Sequence, residues 1–151
     1  MLLAKKGFTL IELLIVIAII GLIASLSVAA VNNAKQKSRD ARRLSDIKQV
    51  QSGLDMYLSD KGFYPNDPIG TPKPMLGRVG AKTLSNGNGW SDTISGAMYI
   101  GIVPADPLPT QNYNYTVSGS GNSWYTITFT LEGTSGGYPA GLRTATPKSV
   151  Q

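Results

Sequence analysis

A single carboxylate, Glu12, stands inside a run of aliphatic residues that follows the basic pair Lys5 and Lys6, a glycine at Gly7 and an aromatic ring at Phe8. An acid within a membrane helix costs about 2.5–3.5 kcal/mol at mid-bilayer and less near an end, so Glu12 needs water, a proton or a positive partner. Elsewhere the chemistry is sparse. The 151 residues contain neither Cys nor His, which removes thiolate nucleophiles, imidazole bases, disulfides and the usual transition-metal ligands. No Ser or Asp sits in a pattern that supplies a base and an orienting group around a nucleophile. The chain therefore reads as a non-enzyme with no cofactor.

The elements that must position Glu12 follow from periodicity. Residues 8–31 are apolar apart from Thr9, Glu12, Ser25 and Ser27, and roughly two dozen residues of helix span a bilayer. A cleaved secretory signal is the rival reading, with Ser27, Val28 and Ala29 ahead of a cut. Its apolar core would exceed the usual limit of about 15 residues and would contain a carboxylate. Beyond the membrane, Ala41, Leu44, Ile47, Val50 or Gln51, Leu54, Tyr57 and Leu58 recur at three- and four-residue intervals, the stripe of a continuing amphipathic helix. Gly62 and Pro65 end it near Lys61. At 1.5 Å per residue such a helix is roughly 80 Å long, so its outer half requires a covering layer. Strand-like runs at 98–103, 113–117 and 124–131 supply one small antiparallel sheet, with 118–122 as a hairpin loop. An edge strand is expected around Leu142 to Thr146, and residues 63–97, rich in Gly, Pro, Asn and Ser, read as irregular loop.

The stretch Lys5-Lys6-Gly7-Phe8-Thr9-Leu10-Ile11-Glu12 resembles the class III signal of type IV pilins and type II secretion pseudopilins. It has the short basic leader ending in Gly, the aromatic residue after it, the Glu at the fifth mature position and the unbroken apolar run. The stretches 55–58, 62–65 and 103–107 also resemble the major pseudopilins of type II secretion. The resemblance implies a pilin-like α+β fold, a long N-terminal helix packed against a small antiparallel sheet. Its parts would be a leader (1–7), a membrane-spanning and filament-core helix (8–31), an amphipathic continuation (32–62), an αβ-loop region (63–97) and the sheet with a C-terminal tail (98–151). It further implies that a prepilin peptidase recognises Lys5, Lys6, Gly7 and Phe8, cuts after Gly7 and methylates the new amine of Phe8. An α-amine with a pKa of about 7.7–8.0 is largely cationic near neutral pH, and the resemblance pairs it with Glu12 of an adjacent subunit. Such a pair in low dielectric would set axial register.

Two departures from the family pattern stand out. Many type IV pilins carry a proline midway through the membrane helix, where this chain reads Ser27-Val28-Ala29-Ala30. Gly21 is then the remaining weak point or close-packing position. Major pseudopilins often bind calcium through a carboxylate-bearing loop near the C-terminal end, whereas residues 132–137 here offer only Glu132, so no metal site is expected. Asp106 with Asp92 is the remaining pair that could contribute to such a site, but turn formation is the better reading, Asp106 preceding a proline.

The implied function is structural: a subunit of a type IV pilus-like filament, polymerising with itself through N-terminal helices. A prepilin peptidase, a membrane assembly platform and minor pilins are the other partners. The alternative is a pseudopilin of a type II secretion or DNA-uptake apparatus. A non-polymerising single-pass module that captures a ligand through Tyr64, Trp90, Tyr99 or Trp124 would leave Glu12 and the Gly7–Phe8 junction without a role, and those aromatics read better as core and loop anchors. The net charge of +5 gathers where Lys35, Lys37, Arg39, Arg42, Arg43 and Lys48 face only Asp40 and Asp46. This run reads as a solvated or neighbour-paired helix face with a weak attraction for nucleic acid or anionic lipid. Charge counting alone would keep the C-terminal part in the cytoplasm. The family exports it, from a single-pass cytoplasmic-membrane precursor to an extracellular or envelope-spanning filament.

Overall fold

The computed structural model describes residues 7–70, 73 and 75–151. Helix α1 runs Leu10–Lys61, so Phe8 and Thr9 lie just outside it rather than within. Its C-terminal stop is Gly62, whose φ of 77° is the left-handed conformation that glycine adopts without a Cβ penalty. The Gly62 N–H donates to the Leu58 carbonyl at 2.7 Å and closes the last turn.

The chain divides into the units Met1–Gln36 and Lys37–Gln151. In the first, the aliphatic side chains from Leu10 to Val31 are exposed in the single chain. Among the described residues, α1 is the one helix long and apolar enough to cross a membrane. The two serine hydroxyls of its apolar part are satisfied internally, Ser25 Oγ donating to the Leu22 carbonyl at 2.7 Å and Ser27 Oγ to the Ile23 carbonyl at 2.9 Å. Neither then needs water in hydrocarbon.

Among the described residues, the second unit holds two three-stranded antiparallel sheets. Strands β1 (Thr83–Ser85), β2 (Gly89–Ser91) and β3 (Met98–Ile100) lie in the order β2-β1-β3. Strands β4 (Asn114–Ser118), β5 (Trp124–Leu131) and β6 (Gly141–Ala145) lie in the order β4-β5-β6. The expectation of one sheet is thereby corrected: β3 pairs with β1, Leu84 opposite Ile100, and not with β4. Region 63–97 is also not uniformly irregular, since it contains β1 and β2 around the turn Asn86-Gly87-Asn88. Strands of three residues are too short to display a period, and the asparagine-glycine turn was their only local signal.

Strand β5 alternates as its sequence reads, with Tyr125, Ile127, Phe129 and Leu131 buried. The edge strand expected near Leu142 is β6, Ile127 of β5 facing Ala145 and Leu131 facing Gly141. The core forms where Ile47, Val50, Leu54 and Tyr57 of α1 meet these residues together with Leu84, Trp90, Ile100, Tyr113 and Tyr115. A chain of rings links the sheets through this core. Trp90 meets Tyr115 edge-on at 5.1 Å, Tyr115 stacks on Tyr125 at 5.9 Å, and Tyr125 meets Tyr64 edge-on at 4.7 Å. The helix stripe is wider than its apolar residues suggested: Ala41 is exposed, while Asp40, Arg43 and Asp46 are buried on the core side.

Candidate functional site

At the N-terminus, Thr9 and Glu12 cap the helix reciprocally. The Glu12 carboxylate accepts from the Thr9 backbone N–H at 2.8 Å and from the Thr9 hydroxyl at 2.7 Å, and the Thr9 hydroxyl accepts from the Glu12 N–H at 3.3 Å. This capping box satisfies donors that the first helical turn leaves orphaned. Its signature is local in the sequence, a Thr three residues ahead of a Glu at the head of an apolar run. Among the described residues Glu12 forms no ion pair. Gly7 and Phe8 are exposed, and a Cβ built on Gly7 meets nothing, so the junction between them is open in the single chain. Lys5 and Lys6 lie outside the described residues.

A second constellation ties the globular unit together. Arg43 is fully buried, and its guanidinium grips Asp106 with a two-pronged bond, Nε to Oδ2 at 2.8 Å and Nη2 to Oδ1 at 2.9 Å. Its Nη1 donates to Asp40 and to Glu132, each at 2.6 Å. Arg39 forks onto the same Glu132 at 2.8 and 2.5 Å. The three carboxylates outnumber the two guanidinium groups, and backbone donors supply the difference. Asp40 accepts the N–H groups of Glu132 and Gly133, and Asp106 accepts that of Leu108. Helix α1, the β3–β4 connection and the end of β5 are thus joined by charge-assisted bonds whose lone pairs are used.

The reading of residues 35–48 as a solvated or neighbour-paired face is corrected at Arg43, which is buried, while Arg42 lies 3.9 Å from its helix neighbour Asp46 and Arg39 pairs with Glu132. Asp106 and Asp92 do not converge. Asp106 belongs to Arg43, and Asp92 accepts the Gly80 N–H at 2.7 Å. No group of three metal-ligating side chains occurs among the described residues. The aromatics considered for ligand capture are likewise dispersed: Tyr64 and Trp90 are in the core, Tyr99 donates to Asp60, and Trp124 lies under the Lys148 ammonium at 5.6 Å.

The network makes stability depend on acid. Hydrogen bonds from Arg39, opposed by some desolvation and reinforced by Arg43, lower the Glu132 pKa from 4.5 to about 2. Folding therefore gains from Glu132 above about pH 4.5, and that gain disappears as pH falls towards 2. Asp46 works in the opposite sense, burial raising its carboxyl despite the hydrogen bond from Tyr113. Chemical denaturation between pH 6 and 2 is expected to show stability falling through this window, and a Glu132→Gln variant to show a shallower fall. Equal slopes for the two proteins would mean that Glu132 is not the responsible group.

Comparison with known proteins adds an independent line. Residues 2–28 match the family model of the prokaryotic N-terminal methylation motif. The chain is 35% identical to the type II secretion system core protein G of Escherichia coli (strain K12) over 107 residues, 68% of this chain and 66% of that protein. It is 36% identical to the core protein G of Aeromonas hydrophila over 86 residues, 50% of this chain and 60% of the relative. With the core protein G of Vibrio cholerae it shares 27% identity over 146 residues, 91% of this chain and 88% of the relative. The aligned part thus spans less than two thirds of the first two relatives. No solved structure matches the chain.

Proposed function

The chain belongs to the family of type IV pilins and type II secretion pseudopilins, and from that premise we propose that it is a pseudopilin, a structural subunit of a secretion or DNA-uptake apparatus. The observation that carries this reading is the relationship to core protein G, which covers 91% of this chain in the Vibrio cholerae relative and accompanies the methylation motif. It supports the secretion alternative better than the pilus reading that the N-terminal signal suggested by itself. A membrane-anchored, envelope-associated protein fits both the apolar helix and the relatives.

In this proposal a prepilin peptidase recognises Lys5, Lys6, Gly7 and Phe8, cuts at the exposed Gly7–Phe8 junction and methylates Phe8. The mature chain polymerises with itself and with minor pseudopilins on a membrane platform, its C-terminal unit exported. Intact-mass measurement of the protein from its native membrane tests the first step. A chain beginning at Phe8 and heavier by one methyl group is expected, and a chain beginning at Ala30 would make it an ordinary secreted protein. A deletion strain separates the two filament readings: failed secretion without loss of surface fibres supports the pseudopilin, and loss of long fibres with secretion intact supports the pilus.

Glu12 is proposed to exchange its bond with Thr9 for the Phe8 amine of a neighbouring subunit, since an ion pair is better placed than a lone carboxylate to survive in hydrocarbon. A Glu12→Gln variant isolates this role. Glutamine still accepts from Thr9 in a capping box but carries no charge. Cross-linked multimers in membranes expressing Glu12→Gln are expected to drop at least tenfold while the monomer level stays unchanged. Wild-type multimer yields would show that capping, not charge, is what assembly requires.

A further inference from the structure

The β1–β2 turn holds both Asn-Gly dipeptides of the chain, Asn86-Gly87 and Asn88-Gly89. We propose that Asn88 is a self-modifying site, which loses its amide and becomes aspartyl or isoaspartyl while Asn86 stays intact. In such a dipeptide the glycine nitrogen is tethered beside the asparagine Cγ, so proximity replaces a bimolecular encounter, and glycine has no side chain to crowd the approach. The Gly89 N–H gives up its proton and the nitrogen bonds to Asn88 Cγ. The Cγ–Nδ2 bond then breaks, and the amide nitrogen takes up a proton and leaves as ammonia, closing a five-membered succinimide. Water opens that ring at either carbonyl. One opening gives an aspartyl residue; the other routes the main chain through the side-chain carbonyl as isoaspartyl. Water is consumed, ammonia is released, and nothing is oxidised or reduced.

The fold separates the two dipeptides. Asn86 is half-buried and held on three sides. Its Nδ2 donates to Asp60 Oδ2 at 3.1 Å, its backbone N–H to the Ala97 carbonyl at 2.8 Å, and the Gly87 N–H to the Ser95 carbonyl at 2.8 Å. Gly87 is also hemmed in, since a Cβ built on it would lie 2.6 Å from Ser95 Oγ. Asn88 is exposed, and its amide reaches the Thr93 carbonyl and hydroxyl only at 3.5 Å, the outer edge of hydrogen bonding. Gly89 opposes Ser85 on the last rung of the ladder, and a Cβ built on it meets nothing. The Asn88 amide is therefore the freer of the two to turn onto the following nitrogen, with water at hand and an exit for ammonia. The carboxylate so formed shares a cleft of about 290 Å³ with Lys61, whose ammonium forms no ion pair among the described residues. Asp67 of the same lining is already held by Lys73 at 2.9 Å.

The test ages the full-length chain in micelles in mildly alkaline buffer, beside a second sample in concentrated denaturant, and follows each asparagine by peptide mapping with mass spectrometry. In the folded chain, conversion at Asn88 is expected to outrun that at Asn86 at least tenfold, with isoaspartyl among the products. In denaturant the two dipeptides are chemically alike, and their rates should agree within threefold. Asn88→Gln replaces the side chain by one whose six-membered ring closes far more slowly, so this turn should stay unmodified over the same period. Comparable rates at the two asparagines of the folded chain, no conversion at Asn88 while the denatured chain converts fully, or a preference for Asn88 that persists in denaturant would overturn the proposal.

Discussion

Replacing Arg43 with methionine is expected to destabilise the globular unit by about 3–5 kcal/mol, because it leaves Asp40 and Asp106 buried without their cation. The loss should be readable in denaturant unfolding of the full-length protein in micelles, followed through tryptophan fluorescence. Arg43→Lys is expected to fall between, since an ammonium restores the charge but cannot reproduce the fork onto Asp106. Combining Arg43→Met with Asp106→Asn should cost less than the sum of the two single changes, as both act on one network. A cost below about 1 kcal/mol for Arg43→Met would mean that the carboxylates find water or protons easily, contrary to their burial.

Gly53→Ala should also destabilise, by about 1–3 kcal/mol, although alanine is the better helix former by about 1 kcal/mol. Gly53 lies where α1 passes over β3, and an added Cβ would sit 2.3 Å from Ile100 Cγ1 and 2.4 Å from its Cδ1. Ile100 is itself buried and β-branched, with little rotamer freedom to yield. The same change made in an Ile100→Ala background should be neutral or stabilising, because the obstructing atoms are gone and only the helix preference is left. If Gly53→Ala costs as much there as in the wild type, the close approach is not its cause.

Neighbouring and distant residues carry different parts of this fold. The long helix, its stop at Gly62, the alternation of β5 and the Gly7-to-Glu12 signal are all written in neighbouring residues. Repeat spacing, a left-handed glycine and a capping pair act within a turn or two, so the amino-acid sequence by itself determined them. The burial of Arg43 has no such local expression. Its partners Asp106 and Glu132 lie 63 and 89 residues away along the chain, and its own neighbours Lys35, Lys37, Arg39 and Arg42 suggest a solvated basic face. The pairing of β3 with β1 instead of β4 is equally silent, because three-residue strands carry too little pattern to choose a partner. Those choices belong to the tertiary structure alone: only when helix and sheets enclose a space without water must each charge find its counterpart and each strand its neighbour.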